Sequence, residues 1–238
     1  MRIVSFSPAA TDWIRTFGAG GELAALPGQA AMPDDAGWLE RVAPDVVVVD
    51  AQTYAQPSWS ETEAELAARK GKPADVLVFT PTTLKQVLDG ALRIGRAIGR
   101  GDAAMRWIAG AEARLQSLRQ RLSLHRRVDE DLLPTVVVLR QPDPPVVAGY
   151  WVPDMVALAG GRSLLAGKGM PPIEMPWEAV LRADPDIVVL ASGDTKANGH
   201  DHIYYVDGTG WLDLAGPRIY SGIEKLAAIC AERKVGKP

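Results

Sequence analysis

One cysteine stands among 238 residues, so no intramolecular disulfide framework is open to this chain. Cys230 falls within the apolar helical pattern of Leu226, Ala227 and Ile229, where a buried, inert thiol is expected. Phenylalanine and histidine are also scarce, three of each. No stretch approaches the roughly 18 apolar residues that a transmembrane helix needs. No sign of charge dominates: the net charge is −3 and no block of like charges forms a tail, which argues against a nucleic-acid partner. Catalytic signatures are missing as well. There is no Gly-x-Ser-x-Gly elbow and no His-Glu-x-x-His. The stretch from Gly161 to Gly167-Lys168 is one residue too long for a phosphate-binding loop, and Gly169 stands where Ser or Thr would hold magnesium. Gly18-Ala19-Gly20-Gly21 ends a helical pattern instead of opening one, so it is no dinucleotide fingerprint. An enzyme is not expected, nor an intrinsic cofactor. Met1-Arg2 runs straight into the β-rich Ile3–Phe6 with no apolar leader. As written, that implies a cytoplasmic chain, or a periplasmic one if an export signal has been removed.

What is present is an alternation of short apolar runs and helical periods. Strands are expected at Arg2–Phe6, Asp45–Asp50, Asp75–Phe79, Thr135–Leu139, Ile187–Leu190 and Ile203–Val206. Helices are expected from Pro8 to the glycines at 18–21, and at Ser60–Lys70, Thr82–Ile98, Pro153–Leu158, Trp177–Arg182 and Pro217–Glu232. Such alternation predicts an α/β fold with parallel sheets. The longest helical pattern is Asp102–Arg127, with Ala104, Ile108, Ala111, Leu115, Leu118 and Leu122 on one face. It would span about 35–40 Å at 1.5 Å per residue. Its arginine-rich side reads as a solvated face.

The chain repeats itself. A helix ending in Gly20-Gly21 is followed by Trp38-Leu39-Glu40 and then Pro44-Asp45 and a valine strand. A helix ending in Gly160-Gly161 is followed by Trp177-Glu178 and then Pro185-Asp186 and an apolar strand. Gly21 precedes Asp45 by 24 residues, and Gly161 precedes Asp186 by 25. Two similar halves make two lobes, expected at 1–100 and 129–238, with 101–128 as the connecting helix.

Seven tryptophans make an aromatic set, and five aromatic residues fall at expected strand ends: Tyr54 and Trp59 in the first half, Tyr150, Trp151 and Trp211 in the second. Flat rings with a polar edge suit a large flat ligand in an open site; each could equally plug the rim of its own lobe. Ser7 and Pro8 read as N-cap and first residue of a helix that follows a strand, where backbone amides could also hold a polar ligand group. Glu40 and Glu178 occupy matching places, one per half. They read either as first-turn acids or as a pair displayed to a two-fold partner. In the latter case they would lie too far apart for acid/base work, which needs roughly 5–10 Å. His200-Asp201-His202 is the one histidine cluster, but third and fourth ligands are not evident, so turn chemistry is the expected reading and no metal is assigned.

Several motifs together carry a resemblance: Arg2-Ile-Val-Ser-Phe-Ser-Pro, Trp38-Leu-Glu with Pro44-Asp-Val-Val, Tyr150-Trp151-Val-Pro-Asp-Met with its Ala-Gly-Gly, Trp177-Glu with Pro185-Asp-Ile-Val-Val, and Val206-Asp-Gly with Gly216-Pro-Arg. In order and spacing the chain resembles the cobalamin and ferric-siderophore substrate-binding proteins of ABC importers, a class III periplasmic-binding-protein type, most of all the cobalamin branch. That resemblance implies two α/β lobes on one long helix. A monomer is expected. It implies a corrinoid or similar metal chelate held between the lobes. It implies Tyr150 or Trp151 and Trp211 at the ligand, and an ABC permease docking through Glu40 and Glu178. The loops near 23–33 and 192–201 are shorter than the family's. Two other readings stand beside it: a cytosolic enzyme or cofactor-processing protein on the same scaffold, and a member that binds a protein partner through the glutamate edge.

Overall fold

The computed structural model describes residues 1–25, 41–50, 57–68, 73–124, 133–191 and 203–235. They fold as two α/β lobes with parallel sheets, joined by a long helix. One compact unit takes Met1–Thr80 and Leu88–Ile108, the other Pro81–Val87 and Ala109–Pro238.

In the first unit, β1 (Ile3–Ser5) leads through the Ser7 cap into α1 (Pro8–Thr16). The Ser7 Oγ accepts the Ala10 N–H, and Pro8 sits where no donor is needed. The short β2 (Leu23–Ala25) and β3 (Val46–Val49) flank β1. Then come α2 (Pro57–Ala68), β4 (Asp75–Val78) and α3 (Leu84–Ala97), whose first residues belong to the second unit. The sheet order is β2-β1-β3-β4, all parallel. All four residues of β3 are buried, as expected for a strand covered on both faces. Val4, Phe6, Val47 and Val49 pack with Trp59 and Leu66 of α2 on one face. Alternation sends Ile3, Val46 and Val48 to the other. Trp13 of α1 is fully buried, stacks on Phe17 at 5.5 Å and takes the Trp107 ring edge-on at 4.6 Å. Trp107 lies on α4 (Gly101–Leu124), the long helix, which passes from the first unit to the second after Ile108.

In the second unit β5 (Thr135–Pro142) turns back into β6 (Pro145–Val147) as a tight hairpin, which carries β5 three residues past the Leu139 end expected for it. The Asp143–Pro144 peptide in its turn is cis. Pro142 and Pro145 sit at the ends of the two strands, where a missing N–H is tolerated. Next are α5 (Val152–Ala159), β7 (Arg162–Ser163), β8 (Ile173–Glu174), α6 (Trp177–Arg182), β9 (Ile187–Leu190), β10 (Ile203–Tyr205) and α7 (Ile219–Val235). The strands β10, β9, β5 and β7 are parallel, and β6 with β8 extends the sheet antiparallel. Val137, Leu139, Val147, Val180, Val188 and Leu190 form one core layer. On the other face α5 and α7 pack together, and a Cβ at Gly161 would meet Val136, Val156 and the Cys230 Sγ. Cys230 is a buried packing residue.

The repeat seen in the sequence has a structural reason. In each lobe a residue with φ of 46°, Ala43 or Asp184, precedes a Pro-Asp pair. The aspartate then accepts a backbone N–H at the entry of the neighbouring strand. Asp45 takes the Arg2 N–H at 2.8 Å, and Asp186 takes both the N–H and the hydroxyl of Thr135 at 2.9 Å. Pro-Asp therefore locks two parallel strands at their starts, once per lobe.

Candidate functional site

The corner after β6 is the counterpart of the Ser7 corner after β1, since each feeds a helix. Gly149 lies so close to the 170–171 backbone that a Cβ there would collide with the Met170 carbonyl oxygen. Tyr150 follows with φ of 52°, a left-handed conformation that costs a non-glycine residue on the order of 1 kcal/mol. Two backbone bonds hold it there. Its N–H donates to the Met170 carbonyl at 2.6 Å, and its carbonyl accepts the Gly169 N–H at 3.0 Å. The partly exposed Tyr150 ring lies at 6.0 Å and 22° from the Trp151 ring. Trp151 is 8% exposed, and its Nε1–H donates to the Trp211 carbonyl at 3.2 Å. The Trp211 Nε1–H in turn donates to the Asp207 carbonyl at 2.7 Å. Thr209, through its side-chain and backbone hydrogen bonds, holds the Asp207 carboxyl below its usual range.

Asp154, in the first turn of α5, was not singled out by sequence pattern. Its Oδ2 accepts the Leu84 N–H at the start of α3 at 3.1 Å, and its Oδ1 lies 3.1 Å from Lys168 Nζ. Thr83 caps the same helix start by accepting the Gln86 N–H. The segment with Thr82 and Thr83 lies against Gly169. All these residues belong to the second unit. Lys168 had shown itself only as a failed phosphate-loop lysine. A single acid after Val-Pro, in a helix first turn, was the available signal for Asp154.

The expected residues fall as follows. Tyr150 and Trp151 share one corner, with Trp211 beneath Trp151. Trp211 is 1% exposed, and a Cβ at Gly222 would meet its ring at 2.5 Å, so this indole shapes the corner from behind. Trp59, expected in a strand-end loop, lies inside α2 and is 2% exposed against Phe6. Ser7 is buried, and its hydroxyl is occupied by the helix cap; Ser5 donates to its carbonyl and Thr11 donates to Ser5. Pro8 is exposed. Glu178 is exposed in the first turn of α6, beside Trp177, whose Nε1–H donates to the Pro142 carbonyl at 3.1 Å. Tyr54, Glu40, the 23–33 loop beyond Ala25, the 192–201 loop and the His200–His202 cluster lie outside the described residues. Among the described residues no three His, Cys, Asp or Glu side chains gather as a metal would need, and no helix is long and apolar enough to cross a membrane. In the first unit a hollow of about 440 Å³ at the α3–α4 turn is lined by Arg96, Arg100, Asp102 and Arg106, with no aromatic wall, and Arg100 pairs with Glu22.

Two α/β lobes, parallel sheets and one long joining helix define the class III periplasmic-binding-protein architecture. A family model described as periplasmic binding protein matches residues 8–205, and the chain belongs to that family. A vitamin B12-binding protein of Vibrio cholerae is 22% identical over 99% of this chain and 90% of its own length. The crystal structure of a periplasmic vitamin B12-binding protein from Vibrio cholerae superposes with a TM-score of 0.73 at 17% identity, covering 98% of this chain and 97% of that one. A periplasmic haem-binding protein from Pseudomonas aeruginosa gives 0.73 at 18% identity, over 96% and 92%. The chain is thus a non-catalytic, substrate-binding component of ABC-type import. The family it belongs to is one of periplasmic binding proteins.

Proposed function

We propose that the chain binds a flat metal chelate of tetrapyrrole size, a corrinoid or haem, and delivers it to an ABC permease. The observation that carries this is Tyr150. A tyrosine is held left-handed, at a cost, with its ring partly exposed and backed by Trp151. Strain of this kind persists where the surroundings over-determine it, and here it presents an aromatic face at a strand end. The relatives named for vitamin B12 and for haem support the ligand class, and they support both members of it equally by fold. Ligand contact at Pro8 and Tyr54, and docking through Glu40 and Glu178, belong to the same proposal. Trp59 and Ser7 act in it through the shape of the first lobe, being buried.

The test is a titration by tryptophan quenching and absorbance with dicyanocobinamide, cyanocobalamin and haemin at about 10 µM protein, where a micromolar ligand is readily seen. Binding of at least one is expected, and silence from all three rejects the reading. Tyr150→Gly keeps the left-handed corner that glycine adopts freely while removing the ring. Affinity should fall tenfold or more with no loss of melting temperature.

A further inference from the structure

Corrinoids and haem differ in what their edges carry: corrin side chains end in amides, whereas haem ends in free carboxylates. Beside the Tyr150 corner stands one group that can tell them apart. Lys168 lies in the loop whose next two residues are bonded to the Tyr150 backbone, and its side chain is 66% exposed. Its ammonium is drawn toward the corner by Asp154, one helical turn past Tyr150, at 3.1 Å. Asp154 is only 17% exposed, and its other oxygen is held by the N–H that opens α3, a 14-residue helix. The acid's charge is therefore answered by a helix N-terminus as well as by lysine. An ammonium has three donors; Asp154 takes one, and the exposed side chain can offer the others.

We propose that Lys168, positioned by Asp154, is a specificity residue that binds a carboxylate on the edge of the ligand and so favours carboxylate-bearing tetrapyrroles over amide-bearing ones. The inference rests on the proposed function and narrows it. Corner and lysine come from one lobe, and a ring stacked on Tyr150 would bring its edge substituents to the loop at 167–170. Charge-assisted bonds of this type are about twice as strong as neutral ones.

The experiment uses the whole protein with haemin, haemin dimethyl ester and dicyanocobinamide. Wild type should bind haemin about tenfold tighter than its diester. Lys168→Met keeps the apolar stem and removes the charge; it should weaken haemin about tenfold and leave the diester unchanged. Asp154→Asn should lower the haemin-over-diester ratio to a smaller extent, because the lysine loses its anchor. Equal binding of acid and diester by wild type overturns the inference, as does a Lys168→Met loss shared by both, or wild-type preference for the cobinamide. In those cases chelate binding itself survives. If no chelate binds to wild type, the proposed function fails and takes this inference with it.

Discussion

Tyr220 shows how one buried hydroxyl writes a pH dependence into the fold. It is 6% exposed on α7, and burial pushes its pKa up to about 12 from 10.0, with the Glu112 charge adding to the effect. Between pH 10 and 12 an unfolded chain loses this proton while the folded one keeps it. The unfolded state then binds fewer protons, so stability falls as pH rises through that window. Tyr220→Phe should remove this part of the alkaline loss, read as the difference between the two proteins in melts from pH 8 to 12; identical slopes would refute it. At this scale legibility depended on whether a residue's role is local. Ser7 was readable because an N-cap is fixed by its neighbours three positions on. Trp211 and Trp59 were not, because a tryptophan has the same letter whether it faces a ligand or fills a core. Only the close approaches of Gly222 and Phe6 tell the two apart.

Elements were more legible than residues. The α6 and β9 spans, Trp177–Arg182 and Ile187–Leu190, fall where the pattern put them, since apolar periodicity alone determines both. The hairpin at 135–147 was not legible. Proline is a strand breaker wherever its missing N–H is needed, and only the pairing of Pro142 with Pro145 shows that here the prolines fall at strand ends. The Pro-Asp entries lie between these cases: visible as a repeat, unexplained until the hydrogen bonds are seen. Their strength can be measured. Asp186→Ala leaves the Thr135 N–H and hydroxyl without their acceptor at the start of a central strand. That should cost about 1–3 kcal/mol. At roughly 2–4 °C per kcal/mol, the calorimetric transition of the second lobe should drop by several degrees. Asp186→Asn keeps an acceptor oxygen and should cost less. A melting curve unchanged by the alanine variant would show that the clamp is replaced by water.

For the whole molecule, sequence and fold diverge in rate. A TM-score of 0.73 over 98% of the chain accompanies 17% identity. A core of interchangeable Val, Ile and Leu tolerates such drift as long as volume and alternation hold. Sites on the surface are not protected in this way, so architecture was legible from the order of motifs while the ligand was not. The same logic bears on the partner. Glu178 is exposed, lies in the first turn of α6 and makes no fold-determining bond described here, while its neighbour Trp177 anchors the helix to the β5–β6 hairpin. An acid so displayed can be reversed in sign without touching either core layer. The Glu178→Arg protein should therefore bind its chelate with wild-type affinity and melt within about 1 °C of wild type, since surface changes usually fall within ±0.5 kcal/mol. A double variant adds Glu40→Arg. On the docking proposed for these glutamates, stimulation of ATP hydrolysis in vesicles carrying the cognate permease should fall at least tenfold, because charge reversal at such a contact costs several kcal/mol. Full stimulation by the double variant would remove the glutamates from the docking surface; loss of chelate binding in the single variant would instead assign Glu178 to the ligand.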